Sequence, residues 1–161
     1  KSTLISYGHD IECSWLLHEA AEILGEPELL KKTAKLAVDM ARANEAGLAR
    51  DGGLHYEFFP ESNELDSDKH WWSQAEAMVG YFNAYQLSDD ENFLKRSLGS
   101  WNFIKEQLID QELGEWYWSV DSEGKPQTEK EKAGFWKCPY HNGRACLEII
   151  RRIDQINKIA K

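Results

Sequence analysis

No run of about 18 consecutive apolar residues occurs in this chain of 161, and its start shows no basic stretch leading into a hydrophobic signal core. A soluble, cytoplasmic protein with no membrane partner is expected. Basic charge is also short: 19 Lys and Arg stand against 28 Asp and Glu, a formal charge of −9. That field repels a phosphate backbone, so nucleic acid is not an expected partner. The three cysteines, Cys13, Cys138 and Cys146, lack the CxxC spacing of a metal or redox site, and they read as reduced thiols used for packing. Glycine-rich phosphate loops and a GxSxG elbow are missing too, which leaves nucleotide-dependent and serine-hydrolase chemistry without support.

What is present is apolar spacing of two kinds. Residues from about 9 to 24, 72 to 87 and 142 to 156 are apolar around most of a helical circumference, as helices buried on nearly every side are. Residues 28 to 43 and 90 to 108 carry a single apolar stripe and belong on the outside. Five helices in the order inner, outer, inner, outer, inner predict part of an α/α toroid, an all-α fold with an inner ring wrapped by outer helices. Short strands or hairpins are expected in the long connections, at 53–59 and 116–120. The inner helices open on His9, Trp71 and His141, 62 and then 70 residues apart, so all three are expected at one rim. Lys1 is an unusual first residue, and with a site-like motif following at once, a piece of something longer is expected.

Three stretches carry possible chemistry. In Gly8-His9-Asp10-Ile11-Glu12, positions i and i+3 share a helix face, so Glu12 can orient His9 and favour its charged form; the same residues also suit a helix N-terminus whose dipole welcomes acid. In Lys69-His70-Trp71-Trp72-Ser73-Gln74-Ala75-Glu76, Ser73 and Glu76 match a capping box, while two indoles at a helix mouth suit the flat face of a sugar. In Trp136-Lys137-Cys138-Pro139-Tyr140-His141-Asn142-Gly143-Arg144, Pro139 favours an extended entry and puts a second imidazole where a helix begins. His141 and Arg144 also fit simple capping and surface roles. His18, His55 and His70 have no such context and read as surface or loop residues. A metal held by His9, Glu12 and His141 is disfavoured, because the HxxE spacing lacks the second histidine of a zincin helix.

SYGHDIE, HWWSQAEA and WKCPYHNGR together resemble the C-terminal half of cellobiose 2-epimerases, within the N-acylglucosamine 2-epimerase superfamily, over essentially the whole chain. The resemblance implies an (α/α)6 barrel, of which residues 1–161 would be the C-terminal part with the N-terminal half absent. It implies His9 and His141 as an acid/base pair, Glu12 orienting His9, Trp71 and Trp72 lining the sugar site, Glu76 contacting hydroxyls and Trp136 stacking on the second sugar. It implies no cofactor and no metal. The reaction would take the C2 proton of a reducing-end glucose and return one to the other face of an enediolate, giving mannose. A sugar is therefore the expected partner, self-association through uncovered inner-helix flanks is plausible, and the isolated chain is expected to turn over little. The competing readings are a glycoside hydrolase on the same barrel, using Glu12 and Glu76, and a non-catalytic carbohydrate-binding module.

Overall fold

A computed structural model describes residues 3–159; Lys1, on which the expectation of an incomplete start rests, lies outside them. The elements are β1 (Ile5–Ser6), α1 (Tyr7–Leu24), α2 (Pro27–Asn44), β2 (Glu57–Phe59), β3 (Glu64–Asp66), β4 (Lys69–His70), α3 (Trp71–Ser88), α4 (Glu91–Phe103), β5 (Ser119–Val120) and α5 (Tyr140–Ile159). The helix boundaries follow from local chemistry. Gly25 stops α1 in the left-handed region at φ 69°, and Pro27 starts α2 where its missing N–H costs nothing. Asp89 ends α3 at φ 55°, and Asp90 caps α4 by accepting from the Asn92 N–H at 3.0 Å. The expected helix over 90–108 stops at Phe103 and continues as a wider π turn over Ile104–Leu108, closed by the Ile109 N–H on the Ile104 carbonyl. No helix of the described residues is long and apolar enough to cross a membrane.

α3 is the centre of the arrangement. It packs against α1, α2, α4 and α5, and 14 of its 18 residues are buried. Trp15, Ala75, Met78, Val79, Phe103 and Ile104 fill one core against it; Tyr7, Ile11, Ala41, Tyr81 and Phe93 fill another. The Asn44 side chain stitches the second core, donating to the Tyr7 carbonyl and accepting from the Tyr81 hydroxyl. The expectation that all three inner helices are buried all round holds for α3 alone. Ile23 and Leu24 on α1, and Leu147 and Ile150 on α5, are exposed, because α1 packs chiefly on α2 and α3, and α5 chiefly on α3, which leaves part of each helix uncovered among the described residues. The cysteines also depart from the packing expectation: all three are free, and Cys13 and Cys138 are exposed.

Two glycines let α1 and α3 approach closely. A Cβ on Gly80 would fall 2.5 Å from Ile11 Cγ1, and one on Gly8 would fall 2.5 Å from Trp72 Cη2 and 2.6 Å from Ser73 Oγ. Trp72 and Ser73 are both buried, so neither can yield. Gly8→Ala is therefore expected to destabilise by about 1–2 kcal/mol in a denaturant titration, overpacking outweighing the gain in helix propensity. It also displaces the first turn of α1, and His9 with it.

The short strands pin helix starts. β1, β2 and β3 form an antiparallel sheet with Ile5 opposite Phe58 and Glu57 opposite Asp66, and β1 runs straight into α1. β4 pairs antiparallel with β5, His70 opposite Ser119, and runs straight into α3. The sequence pointed to strands at 53–59 and 116–120; the ladder covers 57–59 and 119–120 of those stretches.

Candidate functional site

The N-terminal ends of α1, α3 and α5 meet around a cleft of about 500 Å³, within the usual range of small-molecule sites. His9, Glu12, Trp71, Trp72, Trp136 and His141 all line it, so six of the seven side chains singled out in the sequence are brought together. Trp72 contacts both imidazoles: its ring centroid is 4.7 Å from that of His9 and 5.5 Å from that of His141. Trp71 is buried against Trp118 at 4.6 Å, whereas Trp136 is 78% exposed and meets Phe135 edge-on.

The seventh, Glu76, lies beneath the cleft and not in it. Its residue is 0% exposed, so the expected contact with ligand hydroxyls gives way to a supporting one. Oε2 accepts from the Trp15 indole at 2.9 Å, and Oε1 accepts from Arg144 Nη2 at 2.6 Å and lies 2.7 Å from His141 Nδ1. A carboxylate can only accept, so His141 Nδ1 carries the hydrogen of this contact and donates it to Glu76. The capping box is not formed either: Ser73 Oγ is buried without a partner, and Glu76 faces the other helices. A carboxylate so deep survives because two cationic or donor groups from α5 and one from α1 take up its oxygens.

Glu12 also departs from its expected role. Its Oε1 accepts from Arg144 Nη2 at 2.7 Å and lies 4.0 Å from His141, while His9 Nδ1 has Ser6 Oγ at 2.7 Å. Shared helix face made a Glu12–His9 contact available; a guanidinium offering full charge and a directed N–H outcompetes it. Ser6 ends β1, so the strand register fixes the group that orients His9. Arg144, read as surface, is the hub: it joins both glutamates, donates to the Tyr140 hydroxyl at 2.6 Å and lies over the Trp15 ring at 4.9 Å. Its i+3 spacing from His141 was the available signal.

The other three histidines have different surroundings. His18 is buried between α1 and α2, beside Thr33 Oγ1 at 3.4 Å, and His55 Nδ1 contacts the Ser67 carbonyl oxygen. His70 is different, because it lines the cleft and stacks on Tyr56 at 3.9 Å with an interplanar angle of 13°. Burial holds its imidazole down at about 4, so it is neutral at physiological pH. Across the window from about 6.5 down to 4 the unfolded chain binds a proton that the folded state refuses, and stability falls as pH falls. A His70→Gln variant is expected to lose that component, on the order of 3 kcal/mol at the lower limit, read as a flatter dependence of denaturant midpoint on pH.

Glu12, Glu76 and His141 place three ligand atoms within 4.8 Å of one another, a spacing a metal ion could use. The position between the two carboxylates is taken by Arg144 Nη2, which already supplies the positive charge. A second cleft, of about 380 Å³ between α3, α4 and α5, is walled by Met78, Phe82, Leu98, Trp101 and Ile149. Its one hydroxyl, Ser97, is spent on the Met78 carbonyl, and the walls are otherwise mostly aliphatic and aromatic.

An α/α toroid with paired imidazoles over an aromatic-walled cleft is the class this fold and site define. The family model for N-acylglucosamine 2-epimerase matches residues 1–145, and the chain belongs to that family. Its relatives include cellobiose 2-epimerases: that of Bacteroides fragilis is 47% identical over 150 residues, and that of Ruminococcus albus 46% over 148. The crystal structure of a sugar epimerase from a ruminal bacterium superposes with a TM-score of 0.86 at 45% identity, covering 92% of this chain and 38% of that one. The chain spans 93% and 91% of itself in the two sequence matches but about 38% of the length of those curated relatives. The helices therefore correspond to a part of the (α/α)6 barrel of the family's solved structures.

Proposed function

We propose that the protein carrying this chain is a sugar 2-epimerase of the cellobiose type, acting on the reducing-end glucose of a β-1,4-linked disaccharide. The observation that carries the reading is that His9 and His141, from different helices, line one cleft and both contact Trp72. Inversion at C2 requires a proton removed from one face of the sugar carbon and returned to the other, and two imidazoles from different helices suit that task near neutrality. The reaction opens the ring, moves the C2 proton to one imidazole to give a planar enediolate, and delivers a proton from the other imidazole to the opposite face. Atoms balance without an oxidant or a nucleotide. Glu76 orients His141 by accepting its Nδ1 hydrogen, and Trp71 and Trp72 offer apolar faces to the sugar C–H groups.

The hydrolase reading fares worse on the same residues. It asks for two carboxylates flanking a glycosidic bond, one holding a proton at neutral pH. Here Glu12 and Glu76 both accept from one guanidinium nitrogen instead of standing apart across a ligand, and Glu76, fully buried, is out of reach of one. Product analysis by chromatography separates the two. Incubation of cellobiose with the intact protein is expected to yield a glucosyl-mannose disaccharide and no free glucose; release of monosaccharide would favour the hydrolase, and unchanged cellobiose bound to the protein would favour a binding module.

A further inference from the structure

The three helix starts at the cleft are pinned in different ways. α1 and α3 each follow a strand held in a ladder. Among the described residues no strand lies between β5 and α5, and the chain reaches α5 through an irregular loop ending at Pro139. Lys137 takes the place of the ladder. It is 1% exposed, its Nζ donates to Glu115 Oε1 at 3.1 Å and to the Lys132 carbonyl at 2.8 Å, and it lies 5.4 Å over the Trp71 ring. The same Glu115 oxygen accepts from the Asn142 side chain at 2.8 Å, in the first turn of α5 beside His141. The Lys137 carbonyl closes the loop by accepting from the Gly134 N–H at 2.8 Å. Between these two anchored residues stands Trp136, exposed and otherwise touched by Phe135 alone among the aromatic contacts.

An indole gains most from a ring face when it is already in place, because ordering a loose side chain and loop is subtracted from the binding. We propose that Lys137 is a positioning residue that holds Trp136 over the cleft and, through Glu115 and Asn142, ties that indole to the α5 turn bearing His141, so that preference for a two-ring over a one-ring sugar depends on it. This rests on the sugar reading above. Lys132, bonded to Asp110 and to the Gly114 carbonyl, anchors the base of the same loop and leaves the Trp136 end to Lys137.

The test is Lys137→Met in the intact protein, with Glu115→Gln as a second variant. Methionine fills the volume, and the carboxylate left behind, Glu115, is 40% exposed, so it stays hydrated and no buried charge is stranded; the same exposure lets Glu115 tolerate the amide. Calorimetric binding and steady-state kinetics are read for a β-1,4-linked glucose disaccharide and for glucose, together with backbone hydrogen exchange. The expected result is a roughly tenfold weaker Kd and higher KM for the disaccharide, glucose binding and kcat within about twofold, and faster exchange confined to residues 131–139. Equal losses for both sugars, exchange quickened throughout α3, or no change in the loop would each overturn the proposal. If the unsubstituted protein turns over no sugar, the epimerase reading fails, and the exchange measurement alone then supports or overturns the tether.

Discussion

Replacing His9 or His141 by alanine in the intact protein is expected to lower kcat/KM for cellobiose epimerisation by at least 10³-fold. A single acid/base group contributes on the order of 10²–10⁴. Inversion uses both groups in series, so loss of either stops the product from forming. The double variant is expected to be little worse than either single one, because groups that act as a unit are not additive. Binding should survive, since the walls of the cleft are Trp71, Trp72, Trp118 and Trp136. Calorimetric Kd for the disaccharide is therefore expected within about threefold of the unsubstituted protein. A binding module with incidental histidines predicts unchanged function in every variant.

The second large effect falls on Glu76. Alanine there removes the acceptor of the Trp15 indole, one partner of His141 and one of the two carboxylates on Arg144, all in a place with no exposed surface. Breaking a buried pair from one side costs about 3–5 kcal/mol, because the remaining charge stays buried with less compensation. A denaturant midpoint should show it. Glutamine keeps the shape and the Trp15 bond but drops the charge, so the expected loss of stability is smaller while kcat falls about 100-fold as His141 loses its fixed tautomer. A full recovery of stability with no recovery of kcat in Glu76→Gln separates the catalytic support from the structural one.

All five helices were legible in the sequence because their apolar spacing is long and their ends are marked by Gly25, Pro27, Asp90 and Pro139. β1 and β4 were not, since two residues carry no periodicity, and yet these strands fix Ser6 beside His9 and His70 beside Tyr56. The wider turn after Phe103 leaves no mark in residue type. At the site, residue identities read well and partnerships poorly. Glu12 and His9 share a helix face, but Arg144, 132 positions away, decides where that carboxylate points. Glu76 reads as half of a capping box because the sequence shows its local neighbour, Ser73, and hides Trp15 and His141 from other helices. His70 looked like a loop residue for the same reason: its role comes from Tyr56, folded onto it from the preceding hairpin.

The central claim is that the imidazoles of His9 and His141 address opposite faces of one sugar carbon. The most direct test is C2 hydrogen exchange in D2O, followed by NMR on cellobiose and on its mannose-containing epimer, with His9→Ala and His141→Ala each compared with the unsubstituted protein. Each variant is predicted to exchange the C2 proton of one epimer without inverting it, and the two variants to act on opposite epimers. Exchange of the same epimer by both variants, or inversion by either, would contradict the account.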